Sequence, residues 1–416
     1  MSYHNPEEDD FMKTVFTPKQ RRIITACTVL YIAAYFCRLN LSAVLDPVAA
    51  QLSLTLPQAG LMQTVFAAVY ACGQLVNGTI VDRVNPVRHM FTGLFGAAVC
   101  NLLMGFASSY PLMIGLWAAN GVFQSMMWTP IMRIVTLYYG DTATRERANG
   151  TLAMTLIVGH FGAWAISGFL GELLDWRFAF IVPALIALTV LIVSYLSMKD
   201  VMADAERVNS SRRKAAASRQ SPMPCLFATG FPLVLFTCLL YGFIRDSVVT
   251  WSPTILARLS TEIVIPSTVF TLILPAINIF GVTVGFALRY RGATPHVVVA
   301  MMMVLAIVSG AMLLPAPGIL ITAVLLGLIC AGMYGANTML TALIPLQYDR
   351  IGRTGMTAGM IDSSIYAGGA IAGVLGGTLY EGFGTGALYG AWIASAAVCT
   401  ALMMVSLHMS RRYWKD

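Results

Sequence analysis

Residues 23–46 read IITACTVLYIAAYFCRLNLSAVLD. The run is long and apolar enough to cross a bilayer core as one helix, which takes about 20 residues, yet it carries Arg38 deep inside. A guanidinium at membrane depth costs about 2.5 to 3.5 kcal/mol on the most forgiving scale. Two readings stay open. Either Arg38 faces a bundle interior, a partner or a water-filled path, or its stem packs against lipid while its head runs to the interface. A second apolar run, residues 230–256, carries Arg245 in YGFIRDSVVTWSP much as the first carries Arg38 in YFCRLNLSAVLDP. Two matched intramembrane arginines point to a single anion site.

The rest of the chain has the same character. Of its 416 residues 57% are hydrophobic and 11% charged, far more apolar surface than a water-soluble domain needs. Twelve stretches of spanning length lie near 23–46, 58–80, 88–108, 111–139, 150–172, 177–198, 230–256, 264–288, 295–314, 317–345, 355–379 and 386–409. The expected fold class is an all-α membrane protein of twelve transmembrane helices, in two pseudo-symmetric six-helix bundles. The net charge of +7 does not point to nucleic acid, because the basic residues are dispersed among short loops instead of forming a stripe with interleaved aromatics. If the spans alternate, nearly all of them fall on one side and only Arg177 and Arg258 on the other, which is the positive-inside pattern. Both termini are therefore expected in the cytoplasm and the chain in the inner (plasma) membrane. The polar start MSYHNPEEDD lacks the features of a cleaved leader. The eight cysteines form no CxxC pair or metal spacing and read as small packing residues. No phosphate-binding loop, GxSxG or metal signature argues for a primary pump or a hydrolase, so neither enzyme nor cofactor is expected.

Residues 199–225, KDVMADAERVNSSRRKAAASRQSPMPC, are the one long polar interior stretch. The expected division is a cytoplasmic segment 1–22, a first bundle 23–198, a cytoplasmic linker 199–229, a second bundle 230–409 and a tail 410–416. The halves echo each other. Arg38 and Arg245 are 207 positions apart, Arg147 and Arg353 206, His160 and Tyr366 206, and RANGTLAM at 147–154 lies over RTGMTAGM at 353–360. Duplication in register is the simplest account, and parallel halves with a site between them at mid-membrane are a known transporter plan.

Three motifs carry a family resemblance. GTIVDRVNPVR at 78–88 resembles the G-x-x-x-D-R loop of the major facilitator superfamily. ANGVFQSMMWTPIMR at 119–133 resembles the N-G-x-F-Q-x-M-x-W-x-P-x-x-R run of its organophosphate:phosphate antiporter branch, that of the bacterial glycerol-3-phosphate and hexose-phosphate transporters. Arg38-Leu39-Asn40, and Arg245 six residues before Trp251-Ser252-Pro253-Thr254, agree with the same branch. The resemblance implies that Arg38 and Arg245 face each other across a central cavity and grip a phosphoryl group. Guanidinium suits that role, being always charged, planar and able to donate two parallel hydrogen bonds to an oxyanion. Asp82, Arg83, Arg133 and Arg147 are then expected to clamp the cytoplasmic gate, and Gln74, His160, Tyr35, Tyr366 and Trp128 to complete the substrate site.

Two departures bear on the substrate. The glycerol-3-phosphate branch has a lysine where this chain has Gln74, so one cation is lost, and its helix-5 histidine aligns with Leu156, one turn before His160. His160 either reaches the cavity from a deeper level or is a neutral ring bonded to a backbone carbonyl. Asp246 and Asp362 are candidate coupling acids, Asp246 alternatively a counter-ion for Arg245 and Asp362 alternatively a hydrated group near a helix end. Asp46 is placed at the interface without a role. The glycines of the eleventh span, Gly368, Gly369, Gly373, Gly376 and Gly377, read as close-packing positions.

The leading expectation is a secondary transporter, working as a monomer in the bilayer, that exchanges a small anionic substrate, a phosphate ester, for inorganic phosphate. The alternatives are a proton-coupled symporter for a carboxylate such as a sugar acid, and a membrane organophosphate receptor, for which an appended signalling region is the discriminating feature and none is expected.

Overall fold

In the computed structural model, residues 16–81, 84–140, 142–215, 223–260, 265–316, 318–348 and 354–415 are described, and these are helical almost throughout, with no strand among them. The helices run as α1 (Pro18–Ala43), α2 (Leu56–Ile80), α3 (Pro86–Met104), α4 (Tyr110–Ser125 and Trp128–Tyr138), α5 (Thr142–Leu173), α6 (Phe178–Ala215), α7 (Phe231–Leu259), α8 (Ser267–Thr271 and Ile273–Tyr290), α9 (Pro295–Leu313) and α10 (Ile319–Thr338). The last helical run, Thr354–Lys415, is 62 residues long, far more than a bilayer needs, and turns at Gly384 with φ 79° and ψ 178°. A side chain is disfavoured at that φ. The turn divides the run into α11 and α12, which completes twelve passages.

Local chemistry sets the ends and breaks. Thr17 and Gln20 form a reciprocal cap with Pro18 in the first turn, and Thr55 and Gln58 repeat the arrangement at α2. Asn85 accepts from the backbone N–H groups of Val87 and Arg88 to start α3. Pro130 has no N–H for the carbonyl of Met126, and α4 breaks there, with Met126 and Met127 bonding three residues back instead. Pro275 stands in the same relation to the break in α8. The linker region is helical in its first part, since α6 continues through Lys199 to Ala215.

Packing follows from glycine and from large buried aromatics. Trp117, Trp164, Trp251 and Trp392 are fully buried, while Phe95, Phe106, Ile192, Phe280, Val308 and Val405 point outward, as expected for a wall that meets lipid tails. The protein is a multi-pass membrane protein. The first and last six passages meet chiefly where α2 lies on α11. Gly60 and Gly373 leave backbone against backbone there, and Thr64 Oγ1 accepts from the N–H of Val374 at 3.1 Å.

The face opposite Pro18 is further tied by three carboxylates. Glu381 accepts from the first N–H of α2, at Leu56, at 3.0 Å. Glu172, at the end of α5, accepts from the Ser267 hydroxyl and, at 3.0 Å, from the N–H of Thr268 at the start of α8. Each is a carboxylate at a helix N-terminus, where backbone dipoles favour negative charge, and each comes from the other half of the chain. Asp46, left without a role by the sequence, pairs with Arg258 at 3.2 Å. A small cavity of about 230 Å³ lies beside these links, lined by Ser42, Asp46, Trp164, Glu172 and Thr254 among others.

Candidate functional site

The middle of the molecule is held by amides of the α4 motif. Asn120 donates to the carbonyl of Cys37 and Gln124 to that of Ala34, both at 2.9 Å. Asn40 donates to Asn101 at 2.7 Å and to the carbonyl of Ala179 at 3.0 Å, and Asn101 donates to the carbonyl of Cys37 at 2.9 Å. The amide N–H groups thus find acceptors in each other and in the α1 backbone within an apolar bundle, while the Oδ1 atoms of Asn40 and Asn120 are buried without a partner among the described residues. Gly121 allows α4 to approach the α2 backbone at Phe66. The result is a fixed orientation for α1, and so for Arg38.

Arg38 is only 7% exposed and points inward, which decides between the two readings of its burial. Nη1 donates to the Tyr366 hydroxyl at 3.3 Å and Nη2 to Gln124 Oε1 at 3.1 Å. Its guanidinium lies 5.1 Å from the ring of Tyr35, 4.9 Å from that of Tyr70 and 5.9 Å from that of Tyr31. Such faces attract cations without neutralising them. Arg38 Nε is buried and has no hydrogen-bond partner among the described residues.

Arg245 comes from α7. Its Nε donates to Asp246 Oδ1 at 2.7 Å, and its guanidinium lies 5.0 Å from the Tyr366 ring and 5.8 Å from the Tyr241 ring. Tyr366 therefore touches both arginines, through its hydroxyl and through its face, and packs on Tyr70 with ring centroids 4.1 Å apart and planes tilted by 35°. Asp362 lies one turn before Tyr366 on α11. Gly369 leaves the room that Asp246 occupies against α11.

His160 is 4% exposed. Its Nδ1 lies 2.8 Å from the carbonyl of Leu156 and its Nε2 against the Tyr334 hydroxyl. A carbonyl only accepts, so Nδ1 carries a hydrogen, while Nε2 and the Tyr334 hydroxyl, each able to take either part, share the second bond. His160 also packs on Tyr35 at 5.2 Å, and its link to Tyr334 joins α5 to α10. Gln74 is 6% exposed, with its amide donating to the Tyr70 hydroxyl at 2.9 Å and accepting from the Thr129 hydroxyl at 2.8 Å. Trp128 packs on Tyr31 at 5.4 Å, at the α4 break.

The structure thus brings Arg38, Arg245, Tyr35, Tyr366, His160 and Asp246 to one place, with Gln74 and Trp128 behind a layer of tyrosine and Asp362 beside it. Of the gate residues, Asp82, Arg83 and the repeat position Arg353 lie outside the described residues. Arg147 lies 5.5 Å from the ring of Phe16 and Arg133 sits near the end of α4. The sequence reading missed Tyr31, Tyr70, Tyr241 and Tyr334. Three of them had a signal: Tyr31 stands one turn before Tyr35, Tyr70 one turn before Gln74 and Tyr241 one turn before Arg245.

The chain is similar to known proteins in family, in sequence and in fold. The Major Facilitator Superfamily model matches residues 27–361. A probable hexose phosphate transport protein of Chlamydia trachomatis serovar D is 26% identical over 185 residues, 44% of this chain and 40% of that protein. A D-galactonate transporter of Escherichia coli O6:H1 is 28% identical over 168 residues, 40% of this chain and 39% of that protein. The chain spans about two fifths of the length of these curated relatives. A bacterial homolog of the human lysosomal transporter Spinster, in an inward-facing and unoccupied conformation, superposes with a TM-score of 0.67 over 97% of this chain and 99% of that chain at 16% identity, a likeness of fold.

Proposed function

The chain belongs to the Major Facilitator Superfamily, and from that premise we propose that it is a secondary transporter of an organic anion, a phosphate ester exchanged for inorganic phosphate. Arg38 and Arg245 grip the anion. The observation that carries this reading is Tyr366, whose hydroxyl accepts from Arg38 while its face lies on Arg245. An oxyanion that replaces that hydroxyl has one guanidinium from each half of the chain within reach. Residues 23–198 and 230–409 act as the two moving bodies, with 199–229 between them, and Asp82, Arg83, Arg133 and Arg147 close the cytoplasmic side. Both termini lie in the cytoplasm, and the membrane is the inner membrane of a bacterium. One copy suffices, since all named groups come from one chain.

The test is counterflow in proteoliposomes. Vesicles loaded with inorganic phosphate are expected to take up a labelled hexose phosphate several-fold faster than empty ones, with no imposed proton gradient. A second reading, proton-coupled symport of a sugar acid, draws on the Arg245–Asp246 pair, on Asp362 and on the galactonate transporter among the relatives. It replaces the first if phosphate loading has no effect and an inward proton gradient drives accumulation of gluconate.

Alternating access requires the carboxylate links at the face opposite Pro18 to break. Glutamine keeps an acceptor and removes the negative charge at a helix N-terminus, which is worth about 0.3 to 1 kcal/mol each. Glu172→Gln with Glu381→Gln, about 0.6 to 2 kcal/mol together, should therefore raise outward opening by on the order of threefold to thirtyfold. The readout is the labelling rate of Ala257→Cys, beside the cavity at that face, by an impermeant thiol reagent. An unchanged rate would show that these links do not hold the face shut.

A further inference from the structure

Among the described residues, two lines of contact between the halves run from the face opposite Pro18 inward to the level of the arginines. Along α5 the first half meets the second at Glu172 with Ser267 and Thr268, at Gly168 with Thr268, and last at His160 with Tyr334. Along α2 it meets α11 at Leu56 with Glu381, at Gly60 with Gly373, at Thr64 with Val374, and last at Tyr70 with Tyr366. Tyr366, the innermost member of this second seam, also accepts a hydrogen bond from Arg38 at 3.3 Å. Arg38 belongs to the first half and Tyr366 to the second, so this bond crosses between them. The contact of the Tyr366 ring with the Arg245 guanidinium, at 5.0 Å, stays within the second half. Opening the face opposite Pro18 parts α2 from α11, which breaks the bond to Arg38 and spares the contact with Arg245.

We propose that Tyr366 is a latch that the substrate releases: its hydroxyl holds Arg38 and keeps the α2–α11 seam shut while the site is empty, and an anion that takes Arg38 frees the seam to open. The inference rests on the reading of Arg38 as a group that grips the anion and adds how loading is tied to opening. With the face closed, an anion must displace the Tyr366 hydroxyl to take Arg38. With the face open, Arg38 has already lost that partner and meets water. The anion therefore binds the open state more tightly by the worth of this one bond, and a ligand shifts an equilibrium only as far as it binds the two states differently. Hydrogen bonds from a charged donor are among the stronger ones, and one of them is worth on the order of tenfold in such an equilibrium. The empty protein stays latched, so crossing without cargo, which would undo an exchange, is held back.

The experiment follows, by mass spectrometry on the full chain in nanodiscs, how fast an impermeant thiol reagent modifies residue 257 of Ala257→Cys, beside the cavity at that face and twelve residues past Arg245 on α7. The probes are glucose 6-phosphate and gluconate, each at saturation, with binding measured on the same sample. A probe that binds is expected to raise the rate on the order of tenfold. Adding Tyr366→Phe, which keeps the ring against Arg245 and Tyr70 and removes the hydroxyl, should raise the rate by a similar factor with no anion present, and the anion should then change it by less than about twofold. Adding Thr64→Val instead removes a bond of the same seam away from the arginines. It should raise the rate with and without anion alike, so that the anion's own factor persists. A bound anion that leaves the rate unchanged in Ala257→Cys alone overturns the latch, whether or not the Tyr366 variant folds, and so does an anion factor that survives in Tyr366→Phe. If neither glucose 6-phosphate nor gluconate binds, the anion-site reading itself falls, and the latch with it.

Discussion

Arg38→Ala is expected to weaken anion binding by on the order of 2 to 5 kcal/mol, the cost of removing one side of a buried charged contact. The size of the effect comes from where the guanidinium sits. It is held at mid-membrane by Gln124 and Tyr366, among tyrosine faces that attract it without cancelling its charge. Arg38→Lys should recover little, because an ammonium keeps the charge and loses the planar fork that reaches two acceptors at once. Arg245→Ala should cost less than Arg38→Ala in a neutral buffer, since Arg245 shares its charge with Asp246. Isothermal titration or thermal-shift binding on protein shown to be folded is the measurement. Near-normal affinity in Arg38→Ala would remove this residue from the site.

Gly242→Ala and Gly368→Ala should be the most damaging single-methyl changes to stability. A Cβ on Gly242 would stand 1.8 Å from the carbonyl oxygen of Ile365, and one on Gly368 1.8 Å from that of Leu239. Both obstacles are backbone, so α7 and α11 must separate, and overpacking of this kind costs about 1 to 3 kcal/mol or more. In lipid the association of helices depends on such close approach, because no hydrophobic force drives one apolar helix onto another. Gly359→Ala, also on α11 and with nothing within 4 Å of its added Cβ, is the control and should be neutral or slightly stabilising. The comparison is made by thermal melting in one detergent. Indistinguishable melting of Gly242→Ala and Gly359→Ala would mean that α7 and α11 are not packed as described. Gly373, which meets Gly60 across the two halves, tests a different step, and its alanine variant should impede closure of the face opposite Pro18 more than folding.

Much of this was legible in the chain. The number of passages follows from apolar length, because the free energy of placing a segment in hydrocarbon is close to a sum over its own residues. The cost of a guanidinium in lipid narrowed Arg38 to an inward aim or a run to the interface, between which its burial then decided, and the packing role of the α11 glycines follows from their spacing. The breaks in α4 and α8 could have been read from Pro130 and Pro275. What the linear order left open was partnership. Asp246 could be read as a counter-ion for its neighbour Arg245, and the 2.7 Å bond is there, but that Asp246 fits against Gly369 of α11 appeared only once α7 and α11 had packed. Gln74 could be named a candidate for the substrate site, but Thr129, from the far side of the α4 break, could not be named as the donor to its oxygen. Glu172, Glu381 and the Asp46–Arg258 pair carried no signal at all, since each acts on a residue 95 to 325 positions away. Solvation energies are local and additive, and so they are written in the sequence. Hydrogen bonds and ion pairs fall off within a few ångströms, and the distances that decide them exist only once separately formed helices have packed.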